Sequence, residues 1–169
     1  SFKKAIKINP NLFEIQNNIG GILLRIDKTE EAIKYIKKSI LINDKYEKAY
    51  YKLGQAFEKL SKTNEAIENY KKSININSKF YESYFSLGEI YRKTNNYKKA
   101  LDFYLKSIDP KTNIRILECY LALNLMDKFN DKLDKLKSVT KDDRRIASAS
   151  AYISNQFNIN DKYPFCPNP

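Results

Sequence analysis

Few residues in this chain could do chemistry. Its 169 residues include no histidine. That removes Ser-His-Asp and Cys-His nucleophilic sites and imidazole metal ligation. Cys119 and Cys166 are distant in sequence, too few for a disulfide framework and unable to build a zinc cage alone. Gly20-Gly21 lies in a helix-like stretch, far from any GxxxxGK or GxGxxG phosphate loop. Glu30-Glu31 and Asp142-Asp143 pair carboxylates. On amphipathic helices such pairs usually complement the positive end of the helix dipole. No cofactor and no catalytic site are expected, and the chain reads as non-enzymatic.

The remaining candidates are adjacent aromatics, Tyr50-Tyr51 and Tyr84-Phe85, set among amide and charged residues. Their meaning depends on the elements that carry them. The chain has four glycines, and three fall in helix-like segments at a fixed spacing: 54 − 20 = 34 and 88 − 54 = 34. The same period links Ala32, Ala66 and Ala100, and Leu23, Phe57 and Tyr91. It also links Ile36, Tyr70 and Tyr104, then Ser39, Ser73 and Ser107, then Ile40, Ile74 and Ile108. Six columns in one register mark a repeat array.

Each period reads as two helices. In the second, the first helix is expected over about 47–60 and the second over about 64–76, with Ser61 and Asn64 as turn and N-cap residues. A glycine on the first helix lets the second cross closely, with the small Ala66 opposite. Leucine at Gly54 or Gly88 would overpack that crossing, while alanine is expected to be tolerated far better and to gain helix propensity.

This pattern resembles the tetratricopeptide repeat family: an aromatic, Leu-Gly, an aromatic, then Ala and an aromatic, closing on Asn-Pro. The second unit matches with Tyr50, Leu53-Gly54, Phe57, Ala66 and Tyr70. The third matches with Tyr84, Leu87-Gly88, Tyr91, Ala100 and Tyr104. The first departs at Gln16, in an aromatic place, and the closing pair survives only as Asn9-Pro10. The resemblance implies an all-α fold, an α-solenoid of antiparallel helix pairs wound as a right-handed superhelix. Repeats are placed at 13–46, 47–80 and 81–110, with a degenerate repeat at 111–138. A capping helix at 139–157, opened by Thr140 and Asp143, and an extended tail or linker at 158–169 complete the reading. Residues 1–12 read as the second helix of an earlier repeat, so the chain is expected to be part of a longer protein.

In the resembled family the first helices line a groove that holds peptides or partner helices. The second, fifth, ninth and twelfth positions of each unit face it. They include Asn17, Tyr51, Gln55, Glu58, Phe85, Glu89 and Arg92, the candidate partner-binding residues. Tyr51 and Phe85 follow the core aromatics Tyr50 and Tyr84 and point about 100° away. They either form a binding hot spot or pack between repeats. Some family members grip a chaperone's C-terminal carboxylate with Lys-Asn-Asn-Lys-Arg. Here those places hold Asn17, Gly21, Lys52, Glu82 and Ser86, and a glutamate where a cation is needed argues against that role.

The net charge is +11. Lys34, Lys37, Lys38, Lys71, Lys72, Lys98 and Lys99 all fall on second helices, which places the positive charge on the outer, convex side. The expected function is a protein-interaction scaffold with a protein or peptide partner. The alternatives are a basic module binding nucleic acid through the lysine face, or a targeting arm for a catalytic domain elsewhere. No segment approaches the roughly 20 apolar residues of a membrane span. With two cysteines and no secretory segment, an intracellular, cytoplasmic setting is expected.

Overall fold

The computed structural model describes residues 12–109 and 111–139. The earlier half-repeat at 1–11, the rest of the capping helix after residue 139 with its Thr140–Asp143 box, and the tail at 158–169 lie outside the described residues. Eight helices and no strand are found among the described residues. In chain order they are α1 (Leu12–Arg25), α2 (Thr29–Ile42), α3 (Glu47–Lys59), α4 (Thr63–Ile76), α5 (Tyr81–Lys93), α6 (Tyr97–Tyr104), α7 (Thr112–Ala122) and α8 (Met126–Val139). They form the helix pairs of an all-α solenoid.

The first helix of every pair ends in one way. Asp27, Ser61, Asn95 and Asn124 take left-handed backbone, with φ between 55° and 59°. The first three keep the 34-residue spacing. The next residue's N–H then reaches back five positions: Lys28 to the Leu23 carbonyl at 2.9 Å, Lys62 to Phe57 at 2.9 Å, Asn96 to Tyr91 at 2.8 Å. This Schellman closure satisfies carbonyls that a helix end leaves orphaned, and it reverses the chain in two residues. Ser61 is therefore the left-handed residue of the turn. The expected cap at Asn64 is corrected: α4 starts at Thr63 behind Lys62, whose side chain makes no capping bond. Asn96, in nearly the same backbone, does cap, accepting from the Lys99 N–H at 3.2 Å.

The helices fold into two compact units that divide after Ile90, inside α5. In the first unit Leu24, Ala32, Ile36, Ala49, Leu53 and Ala56 form one buried cluster, flanked by Leu23, Ile33, Ile40, Tyr46 and Phe57. These come from α1, α2 and α3, so one helix pair closes its core on the first helix of the next. In the second unit Tyr91 stacks on Phe103 at 5.5 Å. Leu117, Leu121, Phe129 and Leu133 bury a second cluster between α7 and α8. Phe129, in the alanine place of the fourth pair, fills that cluster instead of permitting a close crossing.

Gly54 packs on the ring of Tyr70, which is 0% exposed. A Cβ on Gly54 would lie 2.6 Å from Tyr70 Cε1 and 2.7 Å from Cδ1. One on Gly20 would lie 2.5 Å from Ile36 Cγ1. The crossing is tighter than expected: at Gly54 even alanine meets a buried ring, so the expected gain from alanine there is corrected. The period itself loosens in the third unit. α6 ends at Tyr104, whereas α2 and α4 each run 14 residues. Ile108 consequently falls beyond the helix and is 72% exposed, although its column partners Ile40 and Ile74 are half-buried.

Candidate partner-binding site

The candidate residues do not share one fate. Asn17 is 1% exposed. Its side chain bonds to the Tyr46 hydroxyl, while its amide oxygen has no hydrogen-bond partner among the described residues. The expectation that Asn17 offers itself to a partner is corrected, because Tyr46, leading into α3, covers that place. Tyr51 is also turned inward. Its ring sits 5.7 Å from Tyr70 and 5.3 Å, edge-on, from Phe80. Burial raises its hydroxyl pKa, partly offset by a hydrogen bond with Ser86. Of the two open readings for Tyr51, packing between helices fits this environment.

Gln55 Nε2 donates to the Tyr51 hydroxyl at 3.1 Å. Glu58 accepts from the Tyr70 hydroxyl at 2.5 Å. Burial, then that bond and the carboxylate's charge, push the Tyr70 pKa far above its ordinary value. Gln55 and Glu58 thus both brace the aromatic layer under α3. Phe85 and Glu89 are half-buried on α5 in the first unit, and Arg92 is half-buried on α5 in the second.

A cavity of about 330 Å³ opens between α1 and α3, lined by Gly21, Leu24, Arg25, Lys52, Gln55 and Lys59. All six lie on first helices, the side that the repeat pattern assigns to partners. Lys52 lies across Gly21: a Cβ there would stand 2.7 Å from its Nζ. The ammonium donates to the Asn17 carbonyl at 3.1 Å. Its pKa is lowered, first by burial and then by the charges of Arg25 and Lys48. Lys59 is paired with Asp27. Arg25, Lys52 and Lys59 occupy the sixth and thirteenth positions of their units, outside the candidate set. One signal was available for two of them: 59 − 25 = 34 and 93 − 59 = 34 place Arg25, Lys59 and Lys93 in a cationic column.

The lysines expected on the outer side, Lys34, Lys37, Lys38, Lys71, Lys72, Lys98 and Lys99, are all exposed. No cluster of side chains able to hold a metal ion occurs among the described residues. None of the described helices is long and apolar enough to cross a membrane.

Residues 13–46, 47–80 and 69–102 each match a tetratricopeptide repeat profile. The chain belongs to the tetratricopeptide repeat family. Among solved structures, that of the MamA protein is similar over 83% of this chain and 79% of that one, with 26% identity and TM-score 0.66. PilF of Pseudomonas aeruginosa aligns over 89% of this chain and 71% of its own, with 15% identity and TM-score 0.72. YrrB, a tetratricopeptide repeat protein with an unusual peptide-binding site, aligns over 98% and 87%, with 19% identity and TM-score 0.71. No curated protein matches the sequence.

Proposed function

We propose that this tetratricopeptide repeat chain is a protein-interaction scaffold that holds a peptide segment of a partner on the face of its first helices. The observation that carries the reading is the cavity between α1 and α3, lined wholly by first-helix residues. Its volume of about 330 Å³ suits the burial of a few side chains, at the small end of ligand sites of roughly 300–1,000 Å³. YrrB, alike in fold, is a peptide binder, which supports the class of function. Phe85 and Glu89 on the next first helix of the same unit are proposed to extend the contact. Gln55 reaches both the aromatic layer and the cavity.

Peptide-display selection against the chain, followed by chemical-shift mapping of the selected peptides, tests this. Shifts should concentrate on α1 and α3. A footprint on the exposed lysines of α2 and α4 would overturn the groove reading and favour nucleic-acid binding by the lysine face. Nucleic acid on that face would also show a steep fall of affinity with salt.

A further inference from the structure

We infer that the α1–α3 cavity receives side-chain carboxylates from an acidic segment of the partner protein, with Arg25 and Lys52 as the receiving cations. This rests on the groove reading and adds the chemistry of the occupant. Three cations line one small cavity, and only Lys59 is spoken for, by Asp27. Among the described residues no carboxylate stands within ion-pair distance of Arg25 or Lys52. Lys52 is half-buried, and its one hydrogen bond is to a neutral carbonyl, that of Asn17. An ammonium has three donors, so two remain for a ligand.

The arrangement disfavours a charged Lys52 when no ligand is bound. Burial and the neighbouring charges of Arg25 and Lys48 both disfavour the charged amine. A carboxylate entering the cavity would reverse the second effect and offset the first. The helix also gives up stability there. Gly21 sits in the interior of α1, where glycine is about 1 kcal/mol worse than alanine, and Lys52 occupies the space its Cβ would take. Leu24 supplies an apolar wall and Gln55 an amide, which suit a carboxylate on a carbon stem.

A protein acid is favoured over a nucleic-acid phosphate by the acids carried on the same first helices. Glu14 on α1, Glu58 on α3, and Glu82 and Glu89 on α5 all lie on first helices of the same unit. A continuous polyanion running along these helices would meet those carboxylates, whereas an isolated acid entering the cavity, whose lining holds none of them, would not.

The test uses the whole chain and three probes. One is a short peptide alternating glutamate with leucine, one is the same peptide with glutamine for glutamate, and one is single-stranded DNA of similar length. Binding is read by fluorescence anisotropy and by amide shifts of α1 and α3. The acidic peptide should bind saturably at the cavity, with the glutamine peptide about tenfold weaker or worse. Arg25→Gln and Lys52→Met should each weaken the acidic peptide about fivefold or more and remove its preference over the glutamine peptide. Lys52→Met should not lower the melting temperature, because it removes a desolvated cation from among like charges. Equal binding of the acidic and glutamine peptides at α1 and α3 overturns the carboxylate site and leaves the groove reading standing. DNA shifting the same amides more tightly than the acidic peptide overturns it in favour of phosphate. No saturable binding of the acidic peptide at millimolar concentration also overturns it, and the display selection then judges the groove reading separately.

Discussion

Tyr70 shows how single residues set the terms of this fold. Its ring fills the space that Gly54 leaves, and its hydroxyl is held by Glu58. Gly54→Ala is therefore expected to destabilise the chain by about 1–3 kcal/mol through overpacking, despite better helix propensity. Gly21→Ala should do the opposite, gaining about 0.5–1 kcal/mol, because the atom in the way is the flexible end of Lys52. Urea titration of the two variants checks the opposite signs; a shared sign would refute the contrast between ring and lysine. The same tyrosine gives an alkaline signature. Its pKa is raised from an ordinary value of 10.0. As pH rises above that value, the unfolded chain loses a proton that the folded chain keeps, so stability falls. Below it the contribution is fully present. Tyr70→Phe should flatten this alkaline slope, read as melting temperature against pH, with the remaining slope coming from Tyr46, Tyr50 and Tyr51, whose pKa values are also raised.

At the scale of the helix, the repeats serve as controls for one another. Lys62 and Asn96 both precede a second helix, with φ, ψ of −90°, 73° and −86°, 66°. Only Asn96 caps. Lys62→Asn should recreate that bond on α4 and stabilise by about 0.5–1 kcal/mol. Thermal melts of the single variant decide this; no gain would mean that the turn, not the cap, governs how α4 starts. The helix-to-helix contact repeats in the same way. Ser83 Oγ donates to buried Ser73 Oγ at 3.0 Å between α4 and α5. One repeat earlier, 73 − 34 = 39 and 83 − 34 = 49 give Ser39 and Ala49. Ser39 Oγ has no partner among the described residues. Ala49→Ser should supply one, worth about 0.5–1.5 kcal/mol. A melting temperature lowered by that hydroxyl would show that the α2–α3 contact is too tight to accept it.

Across the whole molecule, a net charge of +11 divides into two populations. The lysines of α2, α4 and α6 are solvated and exposed. Exposed charges of this kind contribute little to any one contact. Lys52 is half-buried in the cavity, where desolvation strengthens a charge's effect, and the exposed Arg25 stands at its wall. Replacing both Lys71 and Lys72 by glutamine should consequently leave peptide affinity within about twofold. Arg25→Gln alone should cost more. If the double lysine variant loses more affinity than Arg25→Gln, with both folded, the binding surface is the lysine face.

The amino-acid sequence alone determined the all-α repeat architecture. The period of 34 in Gly20, Gly54 and Gly88, and in Ala32, Ala66 and Ala100, specifies where each pair must cross. Helix crossings within one repeat stay in register, so columns report them. Which side chains become covered is another matter, even inside a repeat. Tyr51 turns inward because Tyr70 and Phe80 flank it, and Asn17 is buried beside Tyr46. Lys52 crosses Gly21, a pair at unequal repeat positions that no column links. Helical periodicity tells which way a side chain leaves its own helix. Only tertiary packing, within and between repeats, decides whether it then meets solvent, a ring, or a neighbouring charge.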